Sequence, residues 1–245
     1  MRDQGTRRAL FTAAGAGVLL AACRKEQRSD PAAAATSAGA PPKEEKGEDV
    51  EAVEDLMREH GVIRRVLVVY RESATRLRGN RASVPPELLH KAATLMRAFG
   101  EDYHEKQLEE AHVFPALKPM GGNVMSEVDT LLVQHQRGRE ITEYVLATTR
   151  NTIGIGAVDP LARTLEAFAR MYEEHAARED TIVFPAWKTK LSPKQLDEMG
   201  ELFEEIEHKA FGQDGFDDAV DKIAAIEKAF GLDAAAFTAP APPKL

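Results

Sequence analysis

The sequence predicts an all-α protein, an up-down four-helix bundle with one or two additional C-terminal helices. Three observations carry this prediction. From residue 49 onward, apolar side chains recur at steps of three and four, the repeat of a helix with one buried stripe. No stretch shows the sustained alternation of a half-buried strand. The periodic segments are joined by short Gly-, Pro- and Asn-containing turns, as in antiparallel bundles.

The chain has 245 residues and a formal net charge of −8, which argues against nucleic acid as a partner. Its one cysteine excludes an intrachain disulfide. Residues 1–22 read as an export signal: Arg7-Arg8 precede a short apolar run, Leu10 to Ala22, too short for a comfortable membrane span. The arginine pair resembles the twin-arginine signal. Leu20-Ala21-Ala22-Cys23 resembles the bacterial lipobox, in which cleavage before the cysteine leaves it to be lipidated. The expectation is a membrane-anchored lipoprotein facing the periplasm or cell exterior, with Cys23 as its anchor. Residues 23–48, rich in Ala, Pro, Ser, Lys and Glu, read as a flexible linker without a core.

The bundle is expected over residues 49–190. The first helix, Glu48 to about Arg78, carries Val53, Leu56, His60, Ile63, Leu67, Tyr70 and Ala74 on one stripe, and Gly79-Asn80 ends it. Ser83 and Pro85-Pro86 open the second, whose stripe includes Leu89, Ala93, Met96, Gly100, His104 and Leu108. Phe114-Pro115 stops or kinks it, and Pro119 to Asn123 is a turn. The third, about Val124 to Thr149, places Val128, Leu131, Leu132, His135, Gly138, Thr142, Val145 and Leu146 inward. After a loop, Asp159-Pro160 caps the fourth helix, which runs to Trp187 with Leu161, Leu165, Phe168, Tyr172, His175, Glu179 and Ile182 on one face. Ser192-Pro193 caps a fifth helix, and a sixth covers about Phe216 to Phe230. Together they form a C-terminal extension, residues 191–232, before a disordered tail at 233–245.

A histidine and a carboxylate on an otherwise apolar face cost several kcal/mol to bury without partners. A metal ion satisfies both, since imidazole and carboxylate are ligands and adjacent turns aim them at one point. A buried His–Glu hydrogen bond would satisfy one such pair equally well. The pattern, however, recurs. His175 to Pro185 has a counterpart in His104 to Pro115, and each follows, some forty residues on, a lone histidine in an amphipathic segment: His60, then His135.

Residues 50 to 187 resemble a bacterial hemerythrin-like domain of the HHE cation-binding family. The resemblance implies two iron ions inside the bundle, as an oxo- or hydroxo-bridged di-iron centre. It implies His60, His104, His135 and His175 as nitrogen ligands, with Glu179 and one glutamate of the second helix as carboxylates. Two departures follow. Glu109 stands five residues after His104, where the family has four, so a regular helix would turn it about 140° away. A π-bulge between Lys106 and Leu108 would bring it inward. The alternatives are a regular helix using Glu105 or His112. The second departure is Arg139, where oxygen-carrying hemerythrins have a further histidine. Arginine cannot ligate, which leaves more open positions on the metal. Asp180 resembles the aspartate of the oxygen carriers, although a regular helix favours Glu179 facing inward.

The functional expectation is a non-haem di-iron protein binding O2, NO or peroxide at an open iron position. A di-iron oxidoreductase or peroxidase is one alternative; a zinc-binding or metal-free structural bundle is the other. Neither a catalytic residue nor a redox partner is legible. His208 and His90 read as surface residues, and Tyr103 and Tyr172 as core aromatics.

Overall fold

The computed structural model describes residues 50–212 and 215–243 and is all-helical there. Residues 1–49, with the signal, Cys23 and the whole linker, lie outside the described residues.

Helix α1 spans Ala52–Gly79 and buries the stripe Leu56, His60, Ile63, Leu67, Tyr70 and Ala74. Its chain is turned by Asn80, whose amide returns to the Arg76 carbonyl and whose side chain accepts from the Ala82 amide. Helix α2 occupies residues 86–117. It opens as a regular helix at Pro86–Leu95, is π-helical over Met96–Val113, and closes with a regular turn at Phe114–Leu117. Helix α3 is Gly122–Thr149, entered through Gly121 and Gly122, both at φ 61°, where glycine alone escapes Cβ strain. Helix α4 occupies residues 158–188: regular over Val158–Arg178, π-helical over Glu179–Val183, regular again over Phe184–Lys188.

These four helices form the bundle, with α1 between α2 and α4, and α3 opposite between the same two. Helix α5, Pro193–Phe211, starts in a capping box between Ser192 and Gln195 and lies against α1 and the π-helical part of α2. Phe203 stacks on Trp187 of α4 at 6.0 Å between ring centroids. Helix α6, Gly215–Phe230, buries Ala219, Ile223, Ile226 and Phe230 toward α1 and α2.

The structure corrects several expectations. The extra residue after His104 is absorbed over the whole of Met96–Val113 and not in a single bulge. Helix α4, expected to be regular, also widens. Both π segments end at a Phe-Pro pair, with the Phe114 amide bonded to the Glu109 carbonyl and the Phe184 amide to that of Glu179. Pro115 and Pro185 have no amide to donate and their rings crowd the preceding turn, so the wider turn relieves both conflicts. Asp159 does not cap α4, which begins one residue earlier; it pairs instead with Arg163. Leu132 faces outward at 38 % exposure. Within the expected tail, Ala234–Phe237 forms a 3-10 turn.

Candidate metal centre

Each bundle helix contributes one histidine, and all four rings are buried. They form two pairs. His60 and His104 have centroids 4.8 Å apart, as do His135 and His175, whose Nε2 atoms face each other at 3.1 Å. Each carboxylate spans the pairs. Glu109 places one oxygen 3.4 Å from Nε2 of His104 and the other 3.3 Å from Nε2 of His135. Glu179 places one oxygen 3.0 Å from Nε2 of His175 and the other 3.4 Å from Nε2 of His60. The ligand-type atoms of Glu109, His135, His175 and Glu179 lie within 4.8 Å of one another, as do those of His60, His104 and Glu109.

Every Nδ1 is held from outside. Asp180 accepts from His60 at 2.8 Å, Glu59 from His104 at 2.5 Å, Glu110 from His135 at 2.9 Å, and Gln134 Oε1 from His175 at 2.9 Å. A carboxylate or amide oxygen can only accept, so each ring donates from Nδ1 and aims Nε2, its potential ligand atom, inward. The pattern runs around the bundle in chain order. The residue before the α1 histidine holds the α2 histidine, and the residue after the α2 carboxylate holds the α3 histidine. Gln134 and Asp180 repeat the arrangement for α4 and α1. The Phe-Pro pairs join it: Phe184 stacks on His60 at 5.4 Å and Phe114 on His135 at 5.5 Å.

The fit to a cation rests on atoms left over. The oxygens of Glu109 and Glu179 and Nε2 of His104 are buried without a hydrogen bond; the short contact from Glu179 to His175 lacks hydrogen-bond geometry. Unsatisfied buried carboxylate is costly, and cations bound by neutral imidazoles would relieve it. The electrostatics agree. Burial alone would depress His135, yet Glu105, Glu109 and Glu110 together outweigh it and raise the ring to about 10. His60 and His104 rise in the same way against burial, His60 under Asp180 and Glu179, His104 under Glu109 and Glu59. Burial would raise the Glu179 carboxyl, but His175 and His60 hold it well below its ordinary range. The cluster thus attracts positive charge.

Other candidates fall outside it. Glu105 is buried and accepts from the Tyr172 hydroxyl and from Arg139 at 3.1 Å; with Glu110 and His135 it makes a further group of ligand-type atoms within 4.8 Å of one another, on the Nδ1 side of His135. His112 is half-buried beside Phe203. Asp180 reaches His60 Nδ1 and Arg64, and so supports a ring from behind. Arg139 is committed to Glu105 and Glu110. Glu101, three residues before His104, accepts from the Thr142 hydroxyl and forms an ion pair with Arg97 instead; burial raises its carboxyl to about 7. His90 is half-buried against Thr149, while His208 is exposed. Glu59, Glu110 and Gln134 escaped the sequence reading. Their signal was adjacency: Glu59-His60 matches Gln134-His135, and Glu109-Glu110 matches Glu179-Asp180.

The fold and site define a helical bundle with a buried histidine–carboxylate centre suited to cations. A profile of the Hemerythrin HHE cation binding domain matches residues 51–187, and the chain belongs to that family. It is 46 % identical over 192 residues to chains described as uncharacterized proteins from Mycobacterium bovis and Mycobacterium tuberculosis, covering 77 % of this chain and 74 % of theirs. No solved structure matches.

Proposed function

We propose that this chain is a non-haem di-iron protein that binds O2, NO or peroxide at an open metal position, held outside the cytoplasm by a lipidated Cys23. The observation that carries the reading is the double span: Glu109 reaches one histidine of each pair, and so does Glu179. Two carboxylates facing two imidazole pairs suit two cations, because shared negative charge offsets the repulsion between them. When bound, iron supplies a redox-active Lewis acid with exchangeable positions.

The protein's own residues set what reaches it. His60, His104, His135 and His175 offer Nε2, and the acceptors behind them fix ring orientation. Arg139 is tied up in ion pairs, so the nitrogen set stops at these four rings. Among the His60, His104 and His175 rings lies a small void, closed by Glu105 and Tyr172, of about 10 Å³. That is close to the space of a single water.

Metal analysis of the purified protein, with ultraviolet-visible spectra in air and then with dithionite, tests the reading. Two irons per chain with near-ultraviolet bands bleached by dithionite support it. Zinc, or no metal, overturns it; turnover of peroxide with a reductant moves the assignment to an oxidoreductase. Among the described residues no helix is long and apolar enough to cross a membrane. The anchor is tested by Cys23→Ala, which should release the protein from membrane fractions with its metal content unchanged.

A further inference from the structure

A second site, whose lining includes none of the four histidines of the centre, lies between the start of α2 and α6. It is a cavity of about 490 Å³, within the roughly 300–1,000 Å³ of small-molecule sites. Its walls are apolar, with Leu95 and Phe99 on one side, Ile226 on the other, and Phe211 from the end of α5. Its α2 wall runs from Leu88 to Phe99, a length of about 16 Å at the helical rise of 1.5 Å per residue. An apolar groove of that length between two helices accommodates a single extended alkyl chain.

Charge is confined to the exposed lining. Asp218 and Lys222 pair with each other one turn apart on α6 and cancel. Lys91 has no ion-pair or hydrogen-bond partner among the described residues and leaves the mouth positive. On a chain of net charge −8 that local excess is complementary to an anionic head group.

We propose that this slot binds a free long-chain fatty acid, with the alkyl chain between α2 and α6 and the carboxylate at Lys91. The proposal is independent of the metal centre.

The test uses the full chain and cis-parinaric acid, a fluorescent long-chain carboxylate, displaced by palmitate below its micellar concentration and without vesicles. Saturable binding of one probe per chain is expected, with palmitate displacing it and octanoate failing to do so. Lys91→Glu should weaken palmitate roughly fivefold, the scale of an exposed charge contact, and leave hexadecanol unchanged. Ala225→Trp and, from the opposite wall, Ala98→Trp should each abolish binding at unchanged helical content and metal content. Absence of saturable binding overturns the proposal, as does retention of wild-type affinity in both tryptophan variants. Equal loss of palmitate and hexadecanol in Lys91→Glu would remove the carboxylate from the assignment.

Discussion

Glu110 holds Nδ1 of His135 at 2.9 Å while its sequence neighbour Glu109 faces Nε2 of the same ring at 3.3 Å. Two consecutive glutamates thus take the two nitrogens of one imidazole, one from behind and one from the centre. Glu179 and Asp180 do the same to His60, at 3.4 and 2.8 Å. Widened helical turns make this possible, since both carboxylate pairs sit in π-helical segments.

Glu109→Ala and Glu179→Ala should each lose most of the bound metal, because each removes an oxygen pair spanning both imidazole pairs. Glu105→Ala should keep it, since Glu105 faces Tyr172 and Arg139. Deleting Gln107, whose side chain bonds the Asp102 carbonyl at 2.9 Å, restores the four-residue spacing of the second repeat and should retain the metal. Metal per chain, measured on all four variants, decides. Loss in both Glu105→Ala and the deletion would return the role to Glu105.

Asp180→Ala and Glu59→Ala should weaken metal affinity by about 10- to 100-fold, the usual effect of removing a group that orients a ligand histidine. Gln134→Ala should cost less, because an uncharged acceptor bonds more weakly than a carboxylate. Competition with a chelator gives the three affinities, and equal affinities would refute the orienting role.

Gly138 lies one turn from His135 because Tyr172 fills the space a side chain would need. A Cβ there would stand 2.1 Å from the Tyr172 hydroxyl and 2.9 Å from its ring. Gly138→Ala should therefore destabilise the fold by about 1–3 kcal/mol, the cost of overpacking. In a Tyr172→Leu background the same change should cost much less. Thermal melts of the four-member cycle measure the difference, and an unchanged cost would place the strain elsewhere.

Burial, with Glu59 and Glu207 nearby, raises the Asp55 carboxyl to about 7. Its folded value lies above its unfolded one, so the folded state binds the extra proton. The associated stability is present below about pH 4 and is lost as pH rises through 7. Asp55→Asn should consequently melt higher than the wild type at pH 8, by about 1–2 kcal/mol, with no gain at pH 4. A gain that does not vary with pH would show that packing, not charge, governs the site.

Periodicity alone was enough to place the helices, their order and the four inward-facing histidines. A stripe at steps of three and four fixes which face of a helix is buried, and a histidine on that face must meet a partner. The sequence also exposed the anomalous spacing of His104 and Glu109, because a residue count is visible without coordinates. What stands opposite each buried group was decided only by the tertiary structure. Periodicity says that His175 points inward, but only the register of α3 against α4 brings Gln134 to its Nδ1. A regular helix with Glu179 facing inward would turn Asp180 away from the centre. The π turn before Pro185 and the approach of α1 carry it to His60 instead. The slot between α2 and α6 has the same origin, as its two walls lie more than a hundred residues apart and meet only in the folded chain.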